Sequence, residues 1–387
     1  MQGKIVYTLL IGLMAISACR KPYDPVIGEE SRVGVLVVEG FINLTGVTEV
    51  RLSRTGFLDD SVVRHPDRGA IVQIEGENGD LINSLETAPG VYQTDTIALT
   101  KEVNYRIRIR DQENEEYLSD FVQLLITPPI EKLTWEEIDA GIDLKVSTDG
   151  ALTNTSYFRW DFFEDYVFYT PFNSRLIFEN DQVRRRNADE QVFRCFRNQR
   201  STNILIGNTH GQSSSLIDDF YLKTIPRGSE LLTERYSVLV EQTALSREAY
   251  MFWDLIRKNS EDLGDIFGTM PSELITNIQC ISNANKQVIG FVEGGKKASK
   301  RIYINNNNLS REWVAKENIY GDCTPESVFI DEVNSPLIVF AGGMVPVDEI
   351  YSNATSLLIG YTYANPRCVD CTIRGSARPP MFWNENE

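Results

Sequence analysis

Histidine is almost missing from this sequence: His65 and His210 are the only two among 387 residues. An activated Ser or Cys needs a positioned base, most often an imidazole, and zinc favours Cys and His ligands, so triad and zinc chemistry have few places to form. Neither histidine lies in a recognisable motif. Val63-Arg64-His65-Pro66-Asp67 and His210-Gly211, followed by Gln212 and three serines, read as loops between strands. Positive charge is also scarce, with 38 Lys and Arg against 55 Asp and Glu and a formal net charge of −17. Such a chain repels phosphate backbones, which argues against nucleic acid as a partner. Beyond the N-terminus no apolar run approaches the roughly 20 residues of a membrane-crossing helix. Internal repeats and low-complexity tracts are absent as well, Asn305 to Asn308 being only a short polar loop.

The N-terminus carries a definite signal. A single charge, Lys4, precedes the apolar run Ile5 to Ile16, and the small residues Ser17 and Ala18 stand directly before Cys19. This is the layout of a secretory signal (1–18) ending in a lipobox, with cleavage before Cys19 and lipidation, palmitate included, on that cysteine. The expected anchor is therefore lipid at the outer membrane. The polar stretch that follows, with Pro22, Pro25 and Gly28, reads as a tether over 19–32.

Five further cysteines, Cys195, Cys280, Cys323, Cys368 and Cys371, read as disulfide candidates in an exported chain, with an odd one left over. Cys368-Val369-Asp370-Cys371 has Cys-x-x-Cys spacing. Without histidines nearby, and with Arg378-Pro379-Pro380 downstream instead of a helix, it reads as structural bridging ahead of a labile disulfide or a metal site. No metal and no cofactor is expected.

From Val33 the chain alternates apolar and polar residues in short runs, clearest in Tyr105-Arg106-Ile107-Arg108-Ile109-Arg110, where one face enters a core and the other meets water. Asn78-Gly79-Asp80 and Pro89-Gly90 are turn signals between runs. About seven short strands in under a hundred residues predict an immunoglobulin-like or transthyretin-like β-sandwich over 33–128, ended by Pro128-Pro129. A larger β-rich domain follows over 129–387, interrupted by one amphipathic helix over 246–262, with Ser246 as its cap and Ala249, Phe252, Trp253 and Ile256 on its apolar stripe. The fold class is thus mainly β.

Two local patterns invite a functional reading. Arg184-Arg185-Arg186, beside Asp181 and Asp189-Glu190, reads as a solvated loop, with lipid headgroups or lipopolysaccharide phosphates as the sharper alternative. The segment from Tyr157 to Phe172 is dense in aromatics. Its plain reading places Phe158, Trp160 and Phe162 in a core, with Arg159 and Asp161 facing water. The sharper reading makes Trp160, Phe162, Tyr166 and Tyr169 a platform for a ligand or partner protein.

Several blocks coincide in order and spacing with a known family. They are Leu36-Val37-Val38-Glu39-Gly40, Val50-Arg51-Leu52-Ser53-Arg54, Pro89-Gly90-Val91-Tyr92, Tyr236 to Val240 leading through Ser246-Arg247-Glu248-Ala249-Tyr250 to Phe252-Trp253, Ile278-Gln279-Cys280 with Val288-Ile289-Gly290-Phe291, and Cys368 to Cys371 with Arg378 to Trp383. On these residues the chain resembles the Bacteroidota lipoproteins called domain of unknown function 4249. The resemblance implies a shared architecture and companionship with TonB-dependent outer-membrane receptors, and it offers no catalytic residue to carry over. Surface-exported members of that phylum tend to carry Lys with clustered acids after the lipidated cysteine. Here Cys19-Arg20-Lys21-Pro22-Tyr23-Asp24 has the Lys and one acid, so the periplasmic and the surface-facing side both stand. The leading expectation is a noncatalytic accessory lipoprotein that helps a TonB-dependent transporter capture or deliver cargo. A surface-tethered hydrolase of glycans or peptides is the first alternative, since 55 acids offer many unplaced carboxylate pairs, and adhesion or envelope scaffolding is the second.

Overall fold

A computed structural model describes residues 34–56, 65–261, 275–310, 313, 319–330 and 336–383. The signal segment, Cys19 and the tether lie outside the described residues. The architecture is mainly β, with one main helix, as the sequence predicts.

The N-terminal lobe contains β1 (Leu36–Asn43), β2 (Glu49–Arg54), β3 (Ile71–Gly76), β4 (Leu81–Asn83), β5 (Leu85–Ala88), β6 (Val91–Gln93), β7 (Tyr105–Arg110), β8 (Glu116–Ser119) and β9 (Leu125–Ile126). Alternation explains their burial: Tyr105, Ile107 and Ile109 of β7 point inward against Val72 and Ile74 of β3, and Leu36, Val38 and Ile42 of β1 enter the same core from the opposite sheet. Gly79 and Gly90 adopt positive φ in the two expected turns. The run from Leu81 to Glu86 is split at Ser84, where the chain leaves one sheet for the other.

The sandwich extends beyond residues 33–128. Two strands from much later in the chain complete it: β19 (Ile278–Cys280) pairs antiparallel with β8, and β20 (Val288–Lys296) lies parallel between β1 and β9. The sheet orders are β9–β20–β1–β2–β6–β5 and β19–β8–β7–β3–β4.

The second lobe packs a three-stranded sheet, β10 (Ile130–Ile138), β11 (Gly141–Asp149) and β17 (Leu216–Pro226), on a sheet ordered β15 (Arg194–Arg200), β12 (Tyr157–Tyr169), β18 (Arg235–Ala244) and β21 (Ala298–Asn305). A short strand β16 (Leu205–Asn208) also pairs with β12. Ile142, Leu144, Val146, Leu222 and Ile225 meet Phe158, Trp160, Phe162 and Val238 in one apolar core. Helix α1 (Arg247–Glu261) starts as expected, the Ser246 hydroxyl accepting from the Ala249 N–H at 3.0 Å, and buries Ala249 and Phe252 against Phe291 of β20. It therefore sits at the junction of the two lobes.

The hairpin β13 (Leu176–Glu179) and β14 (Gln182–Arg185) corrects one expectation: most of the arginine cluster stands on a strand. Arg184 is held by Glu179 and Glu190, Arg185 pairs with Glu349, and Arg186 is partly buried against Ser174 and the Glu190 carbonyl. A separate C-terminal sheet follows, ordered β22 (Glu326–Phe329), β24 (Leu358–Ala364), β23 (Val345–Tyr351), with the short helix α2 (Pro336–Ala341) laid on it through Phe340, Tyr361 and Tyr363.

Candidate functional site

The aromatic segment is one thirteen-residue strand, β12, and its period of two splits the predicted platform. Trp160, Phe162 and Tyr166 face the core of the second lobe and are buried. Trp160 stacks on Phe220 at 4.3 Å and donates its indole N–H to Gln242 Oε1 at 2.8 Å. Tyr169 points the other way, packing on Phe193 and hydrogen-bonding Glu234. The four rings thus form no common surface, which corrects the platform reading. Its physical reason is that the polar neighbours in this strand occupy a second interface instead of water.

That second face of β12 carries a cluster of buried charges. Arg159 reaches Asp161 at 3.3 Å and Glu293 of β20 at 3.2 Å, and its guanidinium lies 4.3 Å from the ring of Trp253 on α1. Trp253 donates its indole N–H to the same Glu293 Oε2 at 3.2 Å. Arg200 adds a second contact to Asp161 at 3.3 Å. Side-chain exposure is 12% for Arg159, 17% for Asp161 and 8% for Glu293. The two carboxyls are driven apart. Burial raises Glu293, and Arg159 only partly offsets it, whereas burial of Asp161 is overcome by Arg159, Arg200 and Lys297, which hold it below its usual range. Arg159 and Asp161, expected to face water, instead bridge the lobes. The only sequence signal for Glu293 was one acid directly after the apolar run Val288-Ile289-Gly290-Phe291-Val292.

A carboxyl pair with opposed proton affinities is what acid–base catalysis uses; here the pair shares the Arg159 guanidinium, and Glu293 also accepts from the Trp253 indole. Another buried set, Glu164 with Lys223 at 2.8 Å and Tyr236 at 2.6 Å, ties the sheets of the second lobe together. Burial and Glu164 push the Tyr236 phenol well above its ordinary value. His210 is exposed and stacks on Tyr157 at 5.7 Å, and His65 pairs with Arg54 in a two-residue strand beside β2. Among the described residues no cluster of three His, Cys, Asp or Glu could hold a metal, and no helix is long and apolar enough to cross a membrane.

The cysteines separate cleanly. Cys195 bonds Cys371 and Cys323 bonds Cys368, so the two members of the Cys-x-x-Cys reach different partners, and Cys280 is the buried free thiol. The first bond fixes the C-terminal segment to β15, and the second fixes the C-terminal sheet. That sheet carries a group of exposed apolar residues at one end, where register places Phe329 beside Gly360 and Tyr351 beside Leu358, with Ile330 and the 65% exposed Leu357 adjacent. Leu337 and the 70% exposed Ile338 of α2 add to the apolar surface of this subdomain.

Fold and site together describe a two-lobed β protein whose conspicuous polar clusters are structural joints. The chain belongs to the family described as "Domain of unknown function (DUF4249)", whose pattern it matches over residues 20–301. The C-terminal sheet and the disulfide-bonded segment after it lie beyond that match. None of the curated proteins matches the chain. Among solved structures, a DUF4785 family protein from Legionella pneumophila is 10% identical, covering 54% of this chain and 52% of its own length, with a TM-score of 0.19. The chain thus spans about half the length of that protein. A chain of the structure described as "Complete structure of manganese lipoxygenase of Gaeumannomyces graminis and partial structure of zonadhesin of Komagataella pastoris" is 7% identical, covering 56% of this chain and 91% of that one, with a TM-score of 0.17. Likeness this low defines no shared fold.

Proposed function

We propose that this chain is a lipid-anchored outer-membrane protein that acts without catalysis, by docking on a TonB-dependent receptor and helping it capture or deliver cargo. The observation that carries the exported part of this reading is the pair of disulfides, which suit an oxidising compartment and agree with the lipobox before Cys19. Resemblance to lipoproteins that accompany such receptors supplies the class of partner. The exposed apolar residues at one end of the C-terminal sheet offer a surface of the kind that partner contacts use. This module is fastened: Cys323–Cys368 closes it, and Ser174 and Arg175 bond the Pro346 and Val347 carbonyls of β23.

The test is crosslinking in intact cells, purification from solubilised outer membranes and mass spectrometry of what accompanies the chain. A β-barrel receptor in stoichiometric amount is expected, with recovery reduced by Ile330→Asp combined with Leu357→Asp. Cys19→Ala is expected to release the protein from the membrane fraction. Recovery of the chain alone would overturn the docking reading and turn attention to glycan or peptide turnover. Continued membrane association of the Cys19 variant would overturn the anchor.

A further inference from the structure

Glu293 stands on β20, a strand of the N-terminal sandwich, yet its carboxyl is aimed out of that lobe at β12 and α1. Oε2 accepts from Arg159 and from the Trp253 indole, while Oε1 is buried and accepts no hydrogen bond. The charged groups around it come from every neighbouring element. β12 contributes Arg159 and Asp161, β15 contributes Arg200 to the Asp161 side, and Lys297 follows directly after β20 but is engaged by Glu241 of β18 at 3.2 Å. Helix α1 contributes the indole of Trp253 and no charge to this contact. Arg159 is therefore divided between two carboxyls. Asp161 has Arg200 as a second cation, and among the described residues Glu293 has none within ion-pair distance.

From this arrangement we infer that the protonation state of Glu293 sets how tightly helix α1 and the sandwich close on the second lobe, the neutral carboxyl closing the joint and the carboxylate loosening it. A buried carboxylate with one oxygen unsatisfied costs free energy in the closed joint that it does not cost when the joint opens to water. The proton is then bound more tightly in the closed arrangement. Linkage fixes the sign: closure is favoured at low pH, and the contribution is lost as pH rises above the ordinary glutamate value and through the raised one. Above that raised value the closed joint carries the cost of the buried carboxylate.

Peptide-resolved hydrogen exchange on the full chain reads this directly, using protection corrected for the intrinsic pH dependence of exchange. Between about pH 5 and about pH 8, protection over residues 247–260 and 288–296 is expected to fall about tenfold, while 71–76 in the sandwich interior holds steady. Glu293→Gln keeps the shape and removes the charge, so its protection is expected to stay at the low-pH level throughout. Arg159→Met leaves the carboxylate without its cation, and its protection is expected to fall further at high pH and recover on acidification. A Glu293→Gln variant whose pH profile runs parallel to that of the unaltered chain would overturn the inference. So would protection of α1 that does not change with pH in the unaltered chain.

Discussion

The sandwich and the second lobe each borrow distant chain to complete themselves, and they hold it differently. In the sandwich, β19 and β20 arrive from more than 150 residues beyond their neighbours and are held by ladders, β20 pairing with β1 along its whole length from Leu36 to Asn43. No disulfide closes this lobe among its described residues, and its Cys280 stays free. The second lobe takes in residues 365–383, which form short turns and a single bridge, Phe196 with Ser376. There the attachment is covalent through Cys195–Cys371, ionic through the bidentate Arg374–Glu230 pair at 2.8 and 2.9 Å, and aromatic through Trp383 against Phe196 and Tyr303. A strand brings a row of backbone hydrogen bonds with it, whereas an irregular segment brings few, so it needs side-chain and covalent fastening.

The largest effect is expected from removing that fastening. Replacing Cys195 and Cys371 by Ser opens a loop of 176 residues and should cost the second lobe about 5 kcal/mol by the chain-entropy estimate. Exchange over 365–383 should rise to that of an unprotected peptide while β1 and β20 keep their protection. Equal loss in both lobes would dissolve the contrast and show that the C-terminal segment also holds the sandwich.

The converse change acts on the ladder. Gly290 adopts φ of +150°, and a Cβ there would lie 2.2 Å from the Val38 carbonyl oxygen, closer than real Cβ atoms approach. Gly290→Ala must therefore shift β20 away from β1, at a cost of about 2–4 kcal/mol. Urea titration followed by exchange should show the sandwich unfolding earlier and both disulfides intact. A change under about 0.5 kcal/mol would mean that β20 is not tightly seated.

Much of this contrast was beyond the reach of sequence. Alternation located β7, and the Ser246 cap located the start of α1, because those signals are local. It could not say that the run at Val288 belongs to a sandwich begun 250 residues earlier, since strand pairing is decided by long-range contacts. The same period separated the two faces of β12 correctly, Phe158, Trp160 and Phe162 going to the core. Its error concerned Arg159 and Asp161, because a polar face is only different from the apolar one and need not be wet. Disulfide partners were open for the same reason: Cys368 and Cys371 are three apart in sequence but take partners 45 and 176 residues away.

The smallest effect sharpens the comparison through pH. In the sandwich the Tyr117 hydroxyl donates to Asp111 Oδ2 at 3.2 Å, and Arg54 holds the same carboxylate at 2.7 Å. Burial, reinforced by the Asp111 charge, pushes the Tyr117 phenol up to about 12. Burial alone would raise Asp111, but Arg54, the Glu115 N–H and Tyr117 pull it below its ordinary value. The signs follow. Tyr117 stays protonated more firmly in the folded state, so its contribution is present below pH 10 and fades as pH rises from 10 to about 12. Asp111 contributes above its unfolded value of 3.8 and loses that contribution as pH falls through its lower folded value. Tyr117→Phe should cost about 1 kcal/mol at neutral pH through the lost hydrogen bond, and the two stability curves should converge in alkali, where the unaltered phenol ionises. Because no disulfide restrains the sandwich among its described residues, it should open before the second lobe in that range, as read by exchange over 105–119 against 236–244. Simultaneous opening would mean that the joint at Glu293 couples the lobes more strongly than their separate fastenings divide them.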